Sequence, residues 1–501
     1  MQLLRYYNTL RHLKPCQFTN RLKRNLFPPK PDLRPPSELA GINWKIILPL
    51  KTCWDGESSF TFLNEVHQIS DWNDPTLDKL WLYNLHYFDC LRSHPQNSES
   101  LIKRWILENP PGYGNGWDPY PLSLRIVNWI KFGVTGEAIQ SLAEQLRYLA
   151  CFPEYHLLGN HLMANAKALI LGGVFFRGSE AEQWSKLGWK IYRKQLPEQI
   201  LTDGGHFERS LMYHSIILED LLDVYQATRN EELVDYIQKM VAFLVQMTGP
   251  DGRIALFNDA AFGIAPEPHD LLLYAQQLGF AIPESAQFQD FPESGYCRMS
   301  FGDFTLLIDA APIGPDYQPG HAHADALTYE LFFRDQRIIC DGGTSCYRGE
   351  QRRYERGTAA HNTVQIDDRD SSEVWGEHRV GCRSHIVERI AGPEYFSASH
   401  DGYGDLIRRC WRKIPGGVEI VDECNGTHEY RNRLHFTPDS RIEMVAPDEI
   451  LVGGEISIHM KGAQLLPDSW SCEFGKRSRS QMAVSSERVS KYRNIITVKK
   501  I

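Results

Sequence analysis

The sequence predicts a multidomain α+β chain: an N-terminal incomplete α/α toroid followed by a C-terminal antiparallel β-sandwich. Two observations carry this. From about residue 60 to 285, apolar residues recur at three-to-four spacing, the period of a helix face. Near residue 295 that period gives way to short runs of strand-forming residues separated by Gly and Asp turns. Many successive helices without a β signal, and without a fixed-period repeat, suggest a partial toroid.

The expected divisions are 1–55, 56–288 and 289–501. The first is basic and then rich in proline (Pro28, Pro29, Pro31, Pro35, Pro36), which reads as an arm or a loosely packed lead-in. In the second, the segments Leu101 to Glu108, Pro121 to Phe132, Gly136 to Ala150 and Glu231 to Met247 are amphipathic. In the third, Met299 to Ile308 reads as two strands joined by a turn. Thr328 to Phe333, Arg337 to Cys340, Asn362 to Ile366, Glu419 to Val421 and Ile456 to His459 continue the pattern.

With 501 residues, 42% of them hydrophobic, the chain can bury a large core. Its 12 Trp, 22 Tyr and 23 Phe serve that core, and they also suit a groove in which sugar faces stack on rings. A net charge of -9 argues against a nucleic-acid partner, because neutralising phosphates needs clustered Lys and Arg. A local basic cleft for an anionic sugar remains compatible with it. The basic start (Arg5, Arg11, Lys14, Arg21, Lys23, Arg24) lacks a signal-peptide h-region and leaves a membrane-surface role open. No stretch is long and apolar enough to be a transmembrane segment. Eleven cysteines without a Cys-x-x-Cys pair suggest free thiols and a cytoplasmic location.

The strongest local signal is His321-x-His323-x-Asp325, then Asp341-Gly342-Gly343-Thr344, then Ala360-His361-Asn362-Thr363. Residues two apart on extended chain share a face. Two imidazoles and a carboxylate at strand ends form a three-ligand divalent-metal site with an open position. The favoured ligands are His323, Asp341 and His361, leaving His321 as a base or a substrate contact. Asp325 is equally a partner that fixes a histidine tautomer or a cap. Core histidines held by hydrogen bonds give the same pattern.

Three further segments stand out. Gly159-Asn160-His161 reads as a helix start, where the first-turn N–H groups suit a carboxylate; Asn160 as a simple N-cap accounts for it too. His206, Arg209 and Tyr213 have the three-and-four spacing of one helix face, a plausible cleft wall, although a core tyrosine explains Tyr213 as well. Tyr347, Arg348, Arg352 and Tyr354 make a basic, Tyr-bearing loop suited to an anionic polymer or simply to solvent. There is no Walker A loop, Gly-x-Gly-x-x-Gly after a strand, Gly-x-Ser-x-Gly elbow or His-Glu-x-x-His.

In that order, these segments resemble the heparinase II/III family and the architecturally similar alginate lyases, over about residues 70 to 440. His400-Asp401-Gly402-Tyr403 is similar to a further family segment. The resemblance implies β-elimination at a uronate within a glycosaminoglycan such as hyaluronan, chondroitin or heparan sulfate, or within alginate. It implies Asn160 and His161 at the substrate carboxylate, Tyr213 giving and taking a proton, and His321 as base for the other C5 epimer. His323, Asp341 and His361 would hold a structural Zn or Mn ion. His206, Arg209, Tyr347, Arg348, Arg352 and Tyr354 are the candidate contacts to an anionic polysaccharide or oligosaccharide. The rival readings are a glycan-locus enzyme that hydrolyses or epimerises a surface polysaccharide, and a non-catalytic glycan-binding protein.

Overall fold

A computed structural model of the chain describes residues 2–46, 48 and 53–498; the expected lead-in and the C-terminal tail extend beyond these residues. The chain opens with two helices, α1 (Gln2–Leu10) and α2 (Pro15–Leu26). This part of the lead-in is not a loose arm. Arg5 pairs with Glu373, Gln17 donates to the Tyr317 carbonyl, and Lys14 pairs with Glu198, so it is pinned to both halves of the molecule.

A small hairpin follows, β1 (Ser59–Phe62) and β2 (Glu65–Gln68), which the helical period did not announce. The toroid then runs through α3 (Lys79–Tyr87), α4 (Pro95–Glu108), α5 (Pro119–Phe132), α6 (Glu137–Cys151), α7 (Gly159–Phe175), α8 (Ser179–Gln199), α9 (Leu211–Thr228), α10 (Val234–Met247) and α11 (Pro268–Gln277). Their apolar faces form two buried clusters, one centred on the tryptophans of α3 to α5 and one on α7, α9 and α10.

The β part begins with a five-stranded antiparallel meander: β3 (Phe288–Phe291), β4 (Tyr296–Phe301), β5 (Phe304–Asp309), β6 (Tyr329–Phe333) and β7 (Gln336–Ile339). Both of its faces are covered. Leu306, Ile308, Leu331 and Phe333 enter the sandwich core, while Leu307 and Phe332, one residue out of phase, enter the toroid core. That two-sided burial explains why β5 and β6 are buried throughout instead of alternating apolar with polar. The facing sheet has ten strands, with Gly417–His435 paired along Lys476–Val498 as its spine. Between the sheets' strands lies one more helix, α12 (Gly349–Glu355).

None of the eleven cysteines is disulfide-bonded. Among the described residues no helix is long and apolar enough to cross a membrane.

Candidate active site

The site lies where the toroid meets the β part. α7 begins at Gly159, whose positive φ of 54° follows Leu158 at 68°. The expected helix start is present, with Leu158 as N-cap and Asn160 in the first turn. Gly159 is required here, because a Cβ would stand 2.3 Å from Glu208 Oε1 and 2.4 Å from Gln318 Oε1. Asn160 donates from its backbone N to Glu208 Oε1 (3.0 Å) and from Nδ2 to Glu208 Oε2 (3.1 Å). Its Oδ1 is buried without a partner. His161 Nδ1 meets Glu154 Oε2 at 3.2 Å, and its ring packs 4.3 Å from that of Tyr120. Burial alone would lower the His161 pKa, but the Glu154 carboxylate outweighs it and raises it.

Tyr213 sits in the first turn of α9, whose N-cap Ser210 accepts from the Tyr213 N–H. Its ring centroid is 4.0 Å from that of His321, and its OH meets the Tyr347 OH at 2.9 Å. Burial, and then the neighbouring Tyr347, push the Tyr213 phenol well above its ordinary value. This phenol is therefore protonated at neutral pH. Tyr347 in turn stacks over Arg352, 4.9 Å from ring centroid to guanidinium.

The two histidines of the His321-x-His323 pair are held by one carboxylate. Asp259 Oδ2 lies 2.9 Å from His321 Nδ1, and Oδ1 lies 2.8 Å from His323 Nε2. Arg352 grips the same carboxylate with both terminal nitrogens, and Thr344 donates to it at 3.2 Å. Burial would raise the Asp259 pKa; the Arg352 charge and the two histidine bonds outweigh it and hold the carboxyl well below the usual range. With Nδ1 held by this carboxylate, Nε2 is the ring nitrogen turned away from it, 3.7 Å from Glu208 Oε2. His321 and Tyr213 retain 13% and 9% exposure, whereas His323 and His361 have none. The first pair can meet a substrate and the second cannot.

His323, Asp325 and His361 form a buried cluster in which one ligand atom from each lies within 4.8 Å of the other two. Each also keeps a buried atom without a hydrogen-bond partner: His323 Nδ1, Asp325 Oδ2 and His361 Nε2. Two imidazole nitrogens and a carboxylate oxygen, all buried and without protein partners, fit a divalent metal. Burial lowers the His323 pKa to about 3, which keeps the ring in its neutral, ligating form, and raises that of Asp325 to about 6. Asp341, the carboxylate expected from the sequence, lies against the same cluster through His361. Asp341 contacts His361 Nδ1 with both oxygens at 3.0 Å and accepts from Thr328, which fixes the orientation of the ring. Asp325, weighed from the sequence as a tautomer-fixing partner or cap, is the carboxylate whose free oxygen groups with the two rings.

Other expected contacts fall differently. His206 and Arg209 precede α9, so they do not share a helix face with Tyr213. His206 is buried against Gln199 Oε1 (3.2 Å), and Arg209, at a φ of 55°, spends its guanidinium on the Ser294 and Phe207 carbonyls. Arg352 is fully buried and neutralises Asp259 rather than facing an anionic polymer. Arg348 is exposed beside Asp78 at 3.6 Å. Tyr354 is exposed, within electrostatic reach of Asp468 and Arg433. Of that segment only Tyr347 reaches the tyrosine–histidine pair.

A toroid-plus-sandwich chain with a histidine–tyrosine pair and a metal-ready cluster at its junction is the architecture these residues define. The chain belongs to the heparinase II/III-like family. The family's N-terminal profile matches residues 136–267 and its C-terminal profile residues 283–495. It is 30% identical over 317 residues to a heparin-sulfate lyase of Bacteroides stercoris, covering 56% of this chain and 46% of that protein. It is 23% identical over 290 residues to the FtsZ-localized protein C of Caulobacter vibrioides, covering 56% and 48%. The chain thus spans about half the length of the curated relatives it matches. A crystal structure of heparinase III shares the fold, with a TM-score of 0.64 at 18% identity, over 84% of this chain and 76% of that one.

Proposed function

We propose that the chain is a polysaccharide lyase acting on a uronate-bearing glycan of the glycosaminoglycan class by β-elimination. The carrying observation is the convergence of Tyr213 and His321, with rings 4.0 Å apart and each tied from behind, Tyr213 by Tyr347 and His321 by anionic Asp259. Elimination needs a base at C5 and an acid at the leaving oxygen on C4. His321 Nε2 takes the C5 proton, the C5 electron pair forms the C4–C5 double bond, and the C4–O bond breaks. The protonated Tyr213 phenol supplies the departing oxygen with its proton. The Asn160 amide and His161, in the first turn of α7, neutralise the uronate carboxylate as charge builds on it. The names of the lyase relatives support a heparin or heparan substrate ahead of hyaluronan, chondroitin or alginate.

His323, Asp325 and His361 would hold a Zn or Mn ion, with Asp341 and Asp259 orienting the two rings. Bound there, the ion supplies a fixed positive charge and a crosslink behind His321. Metal-replete protein incubated with a panel of polyuronates is expected to raise ultraviolet absorbance as unsaturated ends accumulate. Binding without any rise would instead assign a carrier role, and products lacking the chromophore would assign hydrolysis or epimerisation.

A further inference from the structure

The two N-terminal helices are packed with the wrong side in. A surface helix ordinarily buries its apolar stripe and leaves its polar face in water. α1 instead docks through Arg5, Asn8 and Thr9: Arg5 to Glu373 (2.6 Å), Asn8 Nδ2 to Cys382 Sγ (3.1 Å), and Thr9 Oγ1 to the Val380 carbonyl (3.2 Å) while accepting from Trp375 Nε1 (3.1 Å). α2 docks through Gln17, which donates to the Tyr317 carbonyl (3.3 Å), and Arg24, which donates to Asp118 (3.3 Å).

The apolar residues are left outside. Leu3, Tyr7 and Leu10, four and three apart, are exposed on α1, Leu3 to 87%. Phe18, Leu22 and Leu26, four apart, are exposed on α2, the two leucines to 60% and 61%, and Phe27 just past the helix end is exposed as well. Side chains so spaced stack on one helix face. Both stripes therefore present contiguous apolar surface, beyond the scattered single residues any protein shows.

Their electrostatic setting selects the occupant. The first 31 residues hold seven Lys and Arg and no Asp or Glu, in a chain of net charge -9. Arg11, Arg21, Lys23 and Lys30 stand exposed beside the stripes. An anionic polysaccharide would meet the cations and leave the leucines and phenylalanine in water. An anionic bilayer meets both, with acyl chains for the stripe and lipid phosphates for the cations. We propose that α1 and α2 form a peripheral docking surface for an anionic lipid bilayer, lying at the headgroup boundary without crossing it. The inference stands independently of the proposed reaction.

The test is co-flotation of the full chain with phosphatidylcholine vesicles, with and without phosphatidylglycerol. Binding is expected only with the anionic lipid, weakening as salt screens the cations. Leu22→Ser with Leu26→Ser, and separately Arg21→Glu with Lys23→Glu, are each expected to lower the partition by roughly tenfold or more. Both pairs are exposed, so thermal unfolding is expected to stay near that of the parent. Failure to float with phosphatidylglycerol overturns the proposal. So does binding that the serine pair leaves intact, which would be plain electrostatic adhesion. A dimer in light scattering that the serine pair abolishes, without vesicle binding, would give the surface to a second copy and overturn it equally.

Discussion

Asp259 Oδ2 and His321 Nδ1 are joined at 2.9 Å, and the other oxygen of that carboxylate holds His323. One residue from the end of the toroid thus orients both histidines of the β part. The carboxylate also neutralises Arg352, and both side chains have no exposure. Asp259→Ala strands that guanidinium in the interior. A loss of about 3–5 kcal/mol of unfolding free energy is expected, the range for breaking one half of a buried pair. Denaturant titration measures it, and unchanged stability would refute the assignment of Asp259 as an internal counter-ion.

Tyr213→Phe removes only a hydroxyl that meets Tyr347. The fold is expected to persist while turnover falls by roughly 10²–10⁴, the contribution of a positioned proton donor. Tyr347→Phe, which deletes the partner and not the donor, is expected to cost less. Initial rates of ultraviolet absorbance change give both values. Parental turnover in Tyr213→Phe would remove this residue from the proposed mechanism.

The two carboxylates at the histidine cluster are expected to separate on metal analysis. Asp325→Ala takes away a proposed ligand and should leave the purified protein without stoichiometric Zn or Mn. Asp341→Asn leaves the ligands in place but loosens His361, and should weaken binding by about 10–100-fold. Metal content by mass spectrometry, with chelator competition for affinity, distinguishes them. The reverse ranking would restore Asp341 as the ligand.

His161 and Glu154 give a pH signature. The His161 pKa is raised above its ordinary value of about 6.5, despite burial, by the Glu154 carboxylate. A folded value above the unfolded one means that the protonated ring favours the folded state. That contribution is complete below about pH 6.5 and is lost as pH rises through the higher folded value. Glu154→Gln is expected to remove this part of the pH dependence, seen in thermal unfolding across pH 6 to 9. Parallel curves for variant and parent would count against it.

Much of the fold was legible because its signals are periodic. The change of period near residue 295 falls in β4, and the turn between Phe301 and Phe304 is where Gly302-Asp303 stands. The four site segments were legible because each concentrates unusual residues in a few positions. Asp259 and Glu208 were not. Each is a single acid in a loop between helices, and its importance comes from partners 62 and 48 residues away. Arg352 read as part of a basic loop facing an anionic polymer or solvent because charge patterning cannot tell a buried counter-ion from an exposed cation. The sequence could not separate Asp325 from Asp341 for the same reason: both carboxylates lie near the histidines, and only the direction each side chain faces decides which keeps an unpaired oxygen.

The hydrogen bond between Tyr213 and Tyr347 spans 134 residues and the junction of the two halves. Neither half carries a complete set of reacting groups, so activity reports docking. If the chain is divided between α11 and β3, each piece is expected to be inert alone, and mixing them should restore turnover only as they reassociate. Rate against fragment concentration would then be a binding isotherm for the junction. It would also show how closely proton transfer follows small errors in alignment, since reacting groups lose efficiency within about an ångström of misplacement.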